Sequence, residues 1–215
     1  MDKLEKIAEK IRADFEAHTE ARDQALGQAR TLTRHCALAI RAVHRDEKDV
    51  AGEHLEQASE LAQALRGSLQ THPSIYHAGY TQDALKEYVE ANVVYALVDN
   101  GSLPTPDELQ IENVAYLKGL AETVGELRRR CLDILRSGHS EEVERLLDHM
   151  NEIYAVLVTM DYPDAVTGGL RRLTDISRSL IERTRGDMTL SLRQERLEQQ
   201  LRRVEESLGE HGEDK

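Results

Sequence analysis

Apolar residues recur at steps of three and four along almost the whole chain, the period of one helix face. Leu4, Ile7, Ile11 and Phe15 open the pattern, and Ala21, Ala25, Ala29, Leu32, Cys36, Ala39, Ile40 and Val43 extend it. The spacing predicts one long first helix, straight or bent, ending near His44. A second stripe (Val50, Leu55, Ala58, Leu61, Ala62, Leu65, Leu69) stops at THPSIY, where Pro73 interrupts it. From Thr81 to Val98 the residues are apolar on nearly every side, which predicts a helix buried among others. DNGSLPTPDELQI reads as a loop, with Asn100-Gly101 stopping one helix and Pro106 able to start a short turn. Leu117, Leu120, Ala121, Val124, Leu127, Cys131 and Leu135 then share one face of a helix over 114–135. Gly138 should end it and Ser140 cap the next. MDYPDAVTGGL is a further break, and a helix runs from about Gly169 past Ile181. Leu197, Leu201, Val204 and Leu208 alternate four and three apart, as in a short coiled-coil seam. Core packing is the expected explanation of that seam, ahead of pairing with a partner. No strand pattern or internal repeat interrupts the series. The pattern predicts an all-α protein, one domain of about seven helices over 1–208, with a disordered acidic tail at 209–215.

Composition supports helices. Hydrophobic types make up 40% of the 215 residues but aromatics only 4%, with no Trp and one Phe. Such a core must be built from Leu, Ala, Val and Ile. The two cysteines, Cys36 and Cys131, lie far apart without CxxC spacing, which fits a reducing cytoplasm. MDKLEKIAEK is charged from the start and does not read as a signal peptide. No apolar run is long enough to predict a membrane span. The formal net charge of −12 argues against a basic protein that coats nucleic acid from outside. That charge is uneven: residues 81–112 hold seven acids against Lys86, whereas residues 161–205 hold nine arginines against eight acids.

The chemistry concentrates in YVEANVVYALV, residues 88–98, where Glu90 is the one charge in a strongly apolar run. A carboxylate taken out of water costs several kcal/mol unless something offsets it. A cation, an arginine or a wet cavity would serve. Glu87 lies three positions upstream, so both carboxylates project from roughly one face, where they repel unless a cation or proton lies between them. Hard divalent cations are commonly held by such pairs. Glu122 and Glu126, on the following long helix, could supply a third carboxylate. Phosphate-binding glycine loops, HExxH, GxSxG and Glu-x-x-His pairs are absent from the sequence.

ALKEYVEANVVYALV, followed about thirty residues on by YLKGLAETVGELRRRCLDIL, resembles the translin family, in particular its translin-associated factor X branch and a member of archaeal or prokaryotic type. ARDQALGQARTLTRHCALAIRAVHR is similar to the family's first long helix, and GLRRLTDISRSLIERTRGDMTLSLR to its last. The resemblance spans roughly residues 20 to 195. It implies an all-helical protomer assembled into a hollow homo-oligomer, octamer-type, with nucleic acid inside. The factor X branch implies a Mg²⁺-dependent (or Mn²⁺-dependent) endoribonuclease acting on single-stranded RNA, with single-stranded DNA as a second ligand. Glu87 and Glu90 match the two glutamates of the family's EYVEA segment. Glu122 stands where the family usually carries aspartate, one methylene longer. The resemblance thus implies Glu87, Glu90 and Glu122 as metal ligands and catalytic residues. Glu126 matches a further acid without an assigned role.

Arg128, Arg171, Arg172 and Arg178 are the candidates for phosphate contacts, since a guanidinium binds phosphate in a bidentate way. Salt bridges to the abundant acids explain each of them equally well. Tyr76, His77 and Tyr80 could stack on bases, or belong to the core. Two rivals to the nuclease reading remain: a non-catalytic, translin-like single-stranded RNA- or DNA-binding shell, and a helical adaptor whose acids only confer solubility.

Overall fold

A computed structural model describes residues 2–138 and 140–210, with side chains as far as Glu206. Its element order is α1 (Asp2–His44), α2 (Lys48–Ser68), α3 (Pro73–Tyr76), α4 (Gly79–Val98), α5 (Pro106–Leu109), α6 (Asn113–Leu135), α7 (Glu141–Val158), α8 (Asp164–Thr167) and α9 (Leu170–Glu210). Six are long helices and three are single turns, with no strand among the described residues. The all-α expectation holds. No described helix is long and apolar enough to cross a membrane. The chain divides into two compact units, residues 1–123 and 124–215.

In the first unit α1 and α2 form a hairpin across Asp46, whose φ of 59° makes the tight turn. Their faces are lined with small residues: Ala25, Ala29, Ala39 and Ala42 on α1, and Ala51, Ala58 and Ala62 on α2, all buried. Small side chains let two helices approach closely without aromatic filling, which is how a chain so poor in aromatics closes a core. α4 packs on both. It buries Thr81, Ala84, Leu85, Tyr88, Val89, Glu90, Ala91, Val93, Val94, Ala96 and Leu97, as its all-round apolar character predicts. Asn100, at φ 58°, follows the end of α4. Thr105 then starts α5 with a capping box: Glu108 N–H donates to Thr105 Oγ1, and the Thr105 N–H donates to the Glu108 carboxylate.

The N-terminal half of α1 behaves differently. Leu4, Ile7, Ile11 and Phe15 keep the stripe going, yet no residue of α1 before Ala25 is buried. The reason is length. Forty-three helical residues span about 64 Å and the twenty-one of α2 about 31 Å, so half of α1 extends past its partner.

The second unit takes Val124, Leu127 and Cys131 from α6, Val143, Leu146, Met150, Ile153 and Leu157 from α7, and Leu170, Ile181 and Met188 from α9. Gly138, at φ 118°, follows α6, and Ser140 holds the cap position of α7 without a side-chain cap bond. α9 is continuous through Glu210, so Gly209 and Glu210 are helical; the rest of the expected tail lies outside the described residues. Core packing of the seam is not observed: Leu197, Leu201 and Val204 are more than half exposed, and the side chain of Leu208 lies outside the described residues. A three-four pattern specifies an apolar stripe, not what covers it.

Candidate metal centre

Local anchoring sets the position of α4. Thr81 Oγ1 donates to the Ile75 carbonyl at 2.8 Å and Gln82 Nε2 to the Tyr76 carbonyl at 2.9 Å, tying its first turn to α3. The segment leading into α6 is held equally firmly. Arg66 of α2 donates to the carbonyls of Leu109 and Gln110 and to Gln110 Oε1, and Tyr116 Oη donates to the Pro104 carbonyl at 2.6 Å. α6 then crosses α4 at Gly119. A Cβ placed there would stand 2.7 Å from Val89 Cβ and 2.9 Å from the Lys86 carbonyl oxygen, so only glycine permits this approach. One helical turn beyond the crossing lies Glu122.

The consequence is a cluster. One ligand oxygen from each of Glu87, Glu90 and Glu122 falls within 4.8 Å of the others. Glu90 is 7% exposed, whereas the Glu87 and Glu122 side chains are about a third exposed, giving the cluster a buried floor and an open rim. Lys86 joins it from α4: its Nζ stands 2.6 Å from Glu122 Oε2 and 3.4 Å from Glu87 Oε1. Burial works against the charged ammonium, but the hydrogen bonds and negative charges of Glu122 and Glu87 outweigh it and raise the Lys86 pKa. On α1, Cys36 is fully buried. Burial pushes its thiol pKa up, and the charges of Glu87 and Glu90 add to the rise. That thiol is an inert wall of the site, not a nucleophile.

The donor set suits a hard divalent cation: three carboxylates, no sulfur or nitrogen, and a rim open to water. Sharing one ion would require the three glutamate side chains to rotate and draw their oxygens closer together than the present spacing of up to 4.8 Å. Glu126, the other acid on this stretch of α6, is paired with Arg129 at 3.6 Å.

The four arginine candidates lie in the second unit. Arg128 Nη1 donates to Thr184 Oγ1 at 3.0 Å and stands 2.9 Å from Asp187 Oδ2, the latter an ion pair by distance but not hydrogen-bond direction. Arg171 is exposed, 3.6 Å from Asp161, and lines an open groove of about 660 Å³ with Asp161, Asp164 and Asp175. Arg172 is exposed. Arg178 donates to Glu182 at 3.0 Å. In the first unit Tyr76 is half-buried, with burial and Glu112 raising its pKa, and its ring meets that of exposed His77 edge-on. Two residues that shape the site escaped the sequence reading. Lys86 was visible only as the lone base of an acidic window, and Gly119 as a glycine inside a helical pattern, itself a sign of close packing.

The translin family's sequence model matches residues 2–208. The uncharacterized protein MJ0175 of Methanocaldococcus jannaschii is 36% identical over 191 residues, 88% of this chain and 84% of its own length. Among solved structures, AfC3PO is similar at 31% identity and TM-score 0.78, over 86% of this chain and 96% of that one. AfC3PO in complex with duplex RNA matches at 30% identity and the same TM-score, over 86% of this chain and 95% of that one. Apo-NeC3PO, at 20% identity and TM-score 0.78 over 86% and 96%, shares the fold.

Proposed function

The chain belongs to the translin family, and on that premise we propose that it is a metal-dependent endoribonuclease that cuts RNA inside a homo-oligomeric shell. The observation that carries the reading is the meeting of Glu87, Glu90 and Glu122 from two helices. In this reading the three glutamates hold Mg²⁺ or Mn²⁺. Such an ion, when bound, supplies a Lewis acid for the phosphodiester and lowers the pKa of a water at its open positions. Glu90 forms the buried floor, so its carboxylate is the least free to reorient. Glu87 and Glu122, at the rim, leave the substrate side open. Glu122, one methylene longer than an aspartate, reaches the cluster from α6.

Single-stranded RNA is the substrate we favour, with single-stranded DNA as a weaker ligand, in an octamer-type cytoplasmic assembly. Both cysteines are buried and free, in keeping with a reducing compartment. The relative AfC3PO has been solved with duplex RNA, so duplex belongs among the test substrates. Arg171, Arg172 and Arg178 remain the proposed phosphate contacts. Arg128 is the weakest of the four, because binding RNA would cost it Thr184 and Asp187.

The test is cleavage of a labelled short RNA, single-stranded or duplex, with Mg²⁺, Mn²⁺ or EDTA, by the protein and by Glu90→Gln. Cleavage should need the metal and be lost in the variant, while RNA retention at low salt survives. A variant that cuts as well as the parent would refute the assignment. Retention without cleavage by the parent would leave a binding shell.

A further inference from the structure

Lys86 is the least expected member of the cluster. A lysine placed merely to solubilise a helix keeps its ammonium in water, but the Lys86 side chain is 14% exposed and its Nζ lies against two proposed metal ligands. Taken together, the three glutamates and Lys86 carry a formal charge of −2. We propose that Lys86 is a resident counter-cation of the glutamate cluster, which a divalent ion must displace to load the site. This rests on reading the cluster as a metal site, and it adds how loading is controlled.

The physical argument is competition for the same oxygens. An ion bound at about 2.1 Å to Glu122 Oε2 would stand no more than about 4.7 Å from an ammonium left at its present 2.6 Å. Repulsion between a divalent ion and a unit charge at that separation, even in the dielectric of water, is worth about tenfold or more in affinity. The ammonium therefore swings away on its flexible four-carbon stem as the ion arrives. Lysine suits this exchange better than arginine, whose planar fork would hold a carboxylate in bidentate fashion. Two properties follow. The metal-free cluster keeps its geometry because Lys86 offsets part of the repulsion. The site fills only above a divalent concentration set by that ammonium.

Calorimetric titration of the intact protein with Mn²⁺ alone, without RNA, tests this on the parent, Lys86→Gln, Lys86→Arg and Glu90→Gln. Lys86→Gln keeps a hydrogen-bond donor for Glu122 but removes the charge. It should bind Mn²⁺ about tenfold or more tightly than the parent, with Lys86→Arg no tighter and Glu90→Gln much weaker. Melting in EDTA and in Mn²⁺ gives a second readout that survives a poorly folded variant. Lys86→Gln should melt lower than the parent in EDTA and gain more from Mn²⁺. If the parent binds and Lys86→Gln binds no more tightly, Lys86 is a structural ion pair and the inference is wrong. If neither binds Mn²⁺, the metal reading itself falls, and the inference with it. Binding by Lys86→Gln alone would support both.

Discussion

Gly119→Ala isolates the contact that builds the site. The new methyl would meet Val89 Cβ and Cγ1 at 2.7 Å, about 0.7 Å short of the 3.4 Å at which ordinary contact begins, and the Lys86 carbonyl oxygen at 2.9 Å. Val89 is fully buried and the carbonyl is backbone, so neither neighbour can move aside. α6 must shift away from α4. Overpacking of this kind costs about 1–3 kcal/mol. The gain in helix propensity on replacing glycine, about 1 kcal/mol, offsets part of it. The net expectation is a loss of up to about 2 kcal/mol, or as much as roughly 8 °C in Tm for a chain of this length. Gly52→Ala provides the opposite sign. Nothing lies within 4 Å of its added Cβ, so the propensity gain of about 0.5–1 kcal/mol should raise Tm by a few degrees. Because Glu122 lies one turn past the crossing, Gly119→Ala should also weaken the rise in Tm with Mn²⁺, which Gly52→Ala should leave intact. Differential scanning calorimetry of both variants, with and without Mn²⁺, decides the matter. Gly119→Ala melting at or above the parent, with a full Mn²⁺ response, would refute the argument that the close crossing positions Glu122.

His35 and His54 bring their Nδ1 atoms to 3.3 Å between α1 and α2. Burial first, then the charges of His54 and Arg34, hold the His35 pKa below its ordinary 6.5. Its contribution to stability is thus complete above about pH 6.5 and is lost as pH falls through the lower folded value, so His35→Asn should flatten the acid limb of Tm against pH. Equal slopes in parent and variant would contradict this. A chain starting at Ala21 should show the same urea midpoint as the parent, because α1 buries nothing before Ala25. A clearly lowered midpoint would mean that Leu4, Ile7, Ile11 and Phe15 are covered in solution.

The legible parts of the fold are those governed by local rules. Helix period, the stop at Asn100-Gly101, the end at Gly138 and the all-round burial of α4 are each written in a few neighbouring residues. The pairing of Glu87 with Glu90 belongs here too, since three-residue spacing on a helix needs no tertiary knowledge. Glu122 is different. Residue patterns alone left it level with Glu126, and the family resemblance chose between them. The structure brings Glu122 to the pair and sets Glu126 beside Arg129. Four residues apart, the two share one face of α6, so what separates them is where along that helix α4 crosses it, a tertiary quantity. The exposed stripes at the start of α1 and the end of α9 escaped for a related reason, because periodicity records which face is apolar and not whether anything covers it.

The lone carboxylate of YVEANVVYALV therefore has a physical account. An ion pair meant only to fasten α4 to α6 would need Lys86 and Glu122, which already stand 2.6 Å apart. Adding Glu87 and Glu90 brings further negative charge into the same 4.8 Å cluster, one of them almost fully buried. Fold stability does not reward that, because like charges at this range repel and desolvation penalises the buried one. Three carboxylates gathered at one spot, two of them at an open rim, offer a hard divalent cation more oxygen ligands than a single ion pair to Lys86 uses, which is what the proposed metal centre draws on.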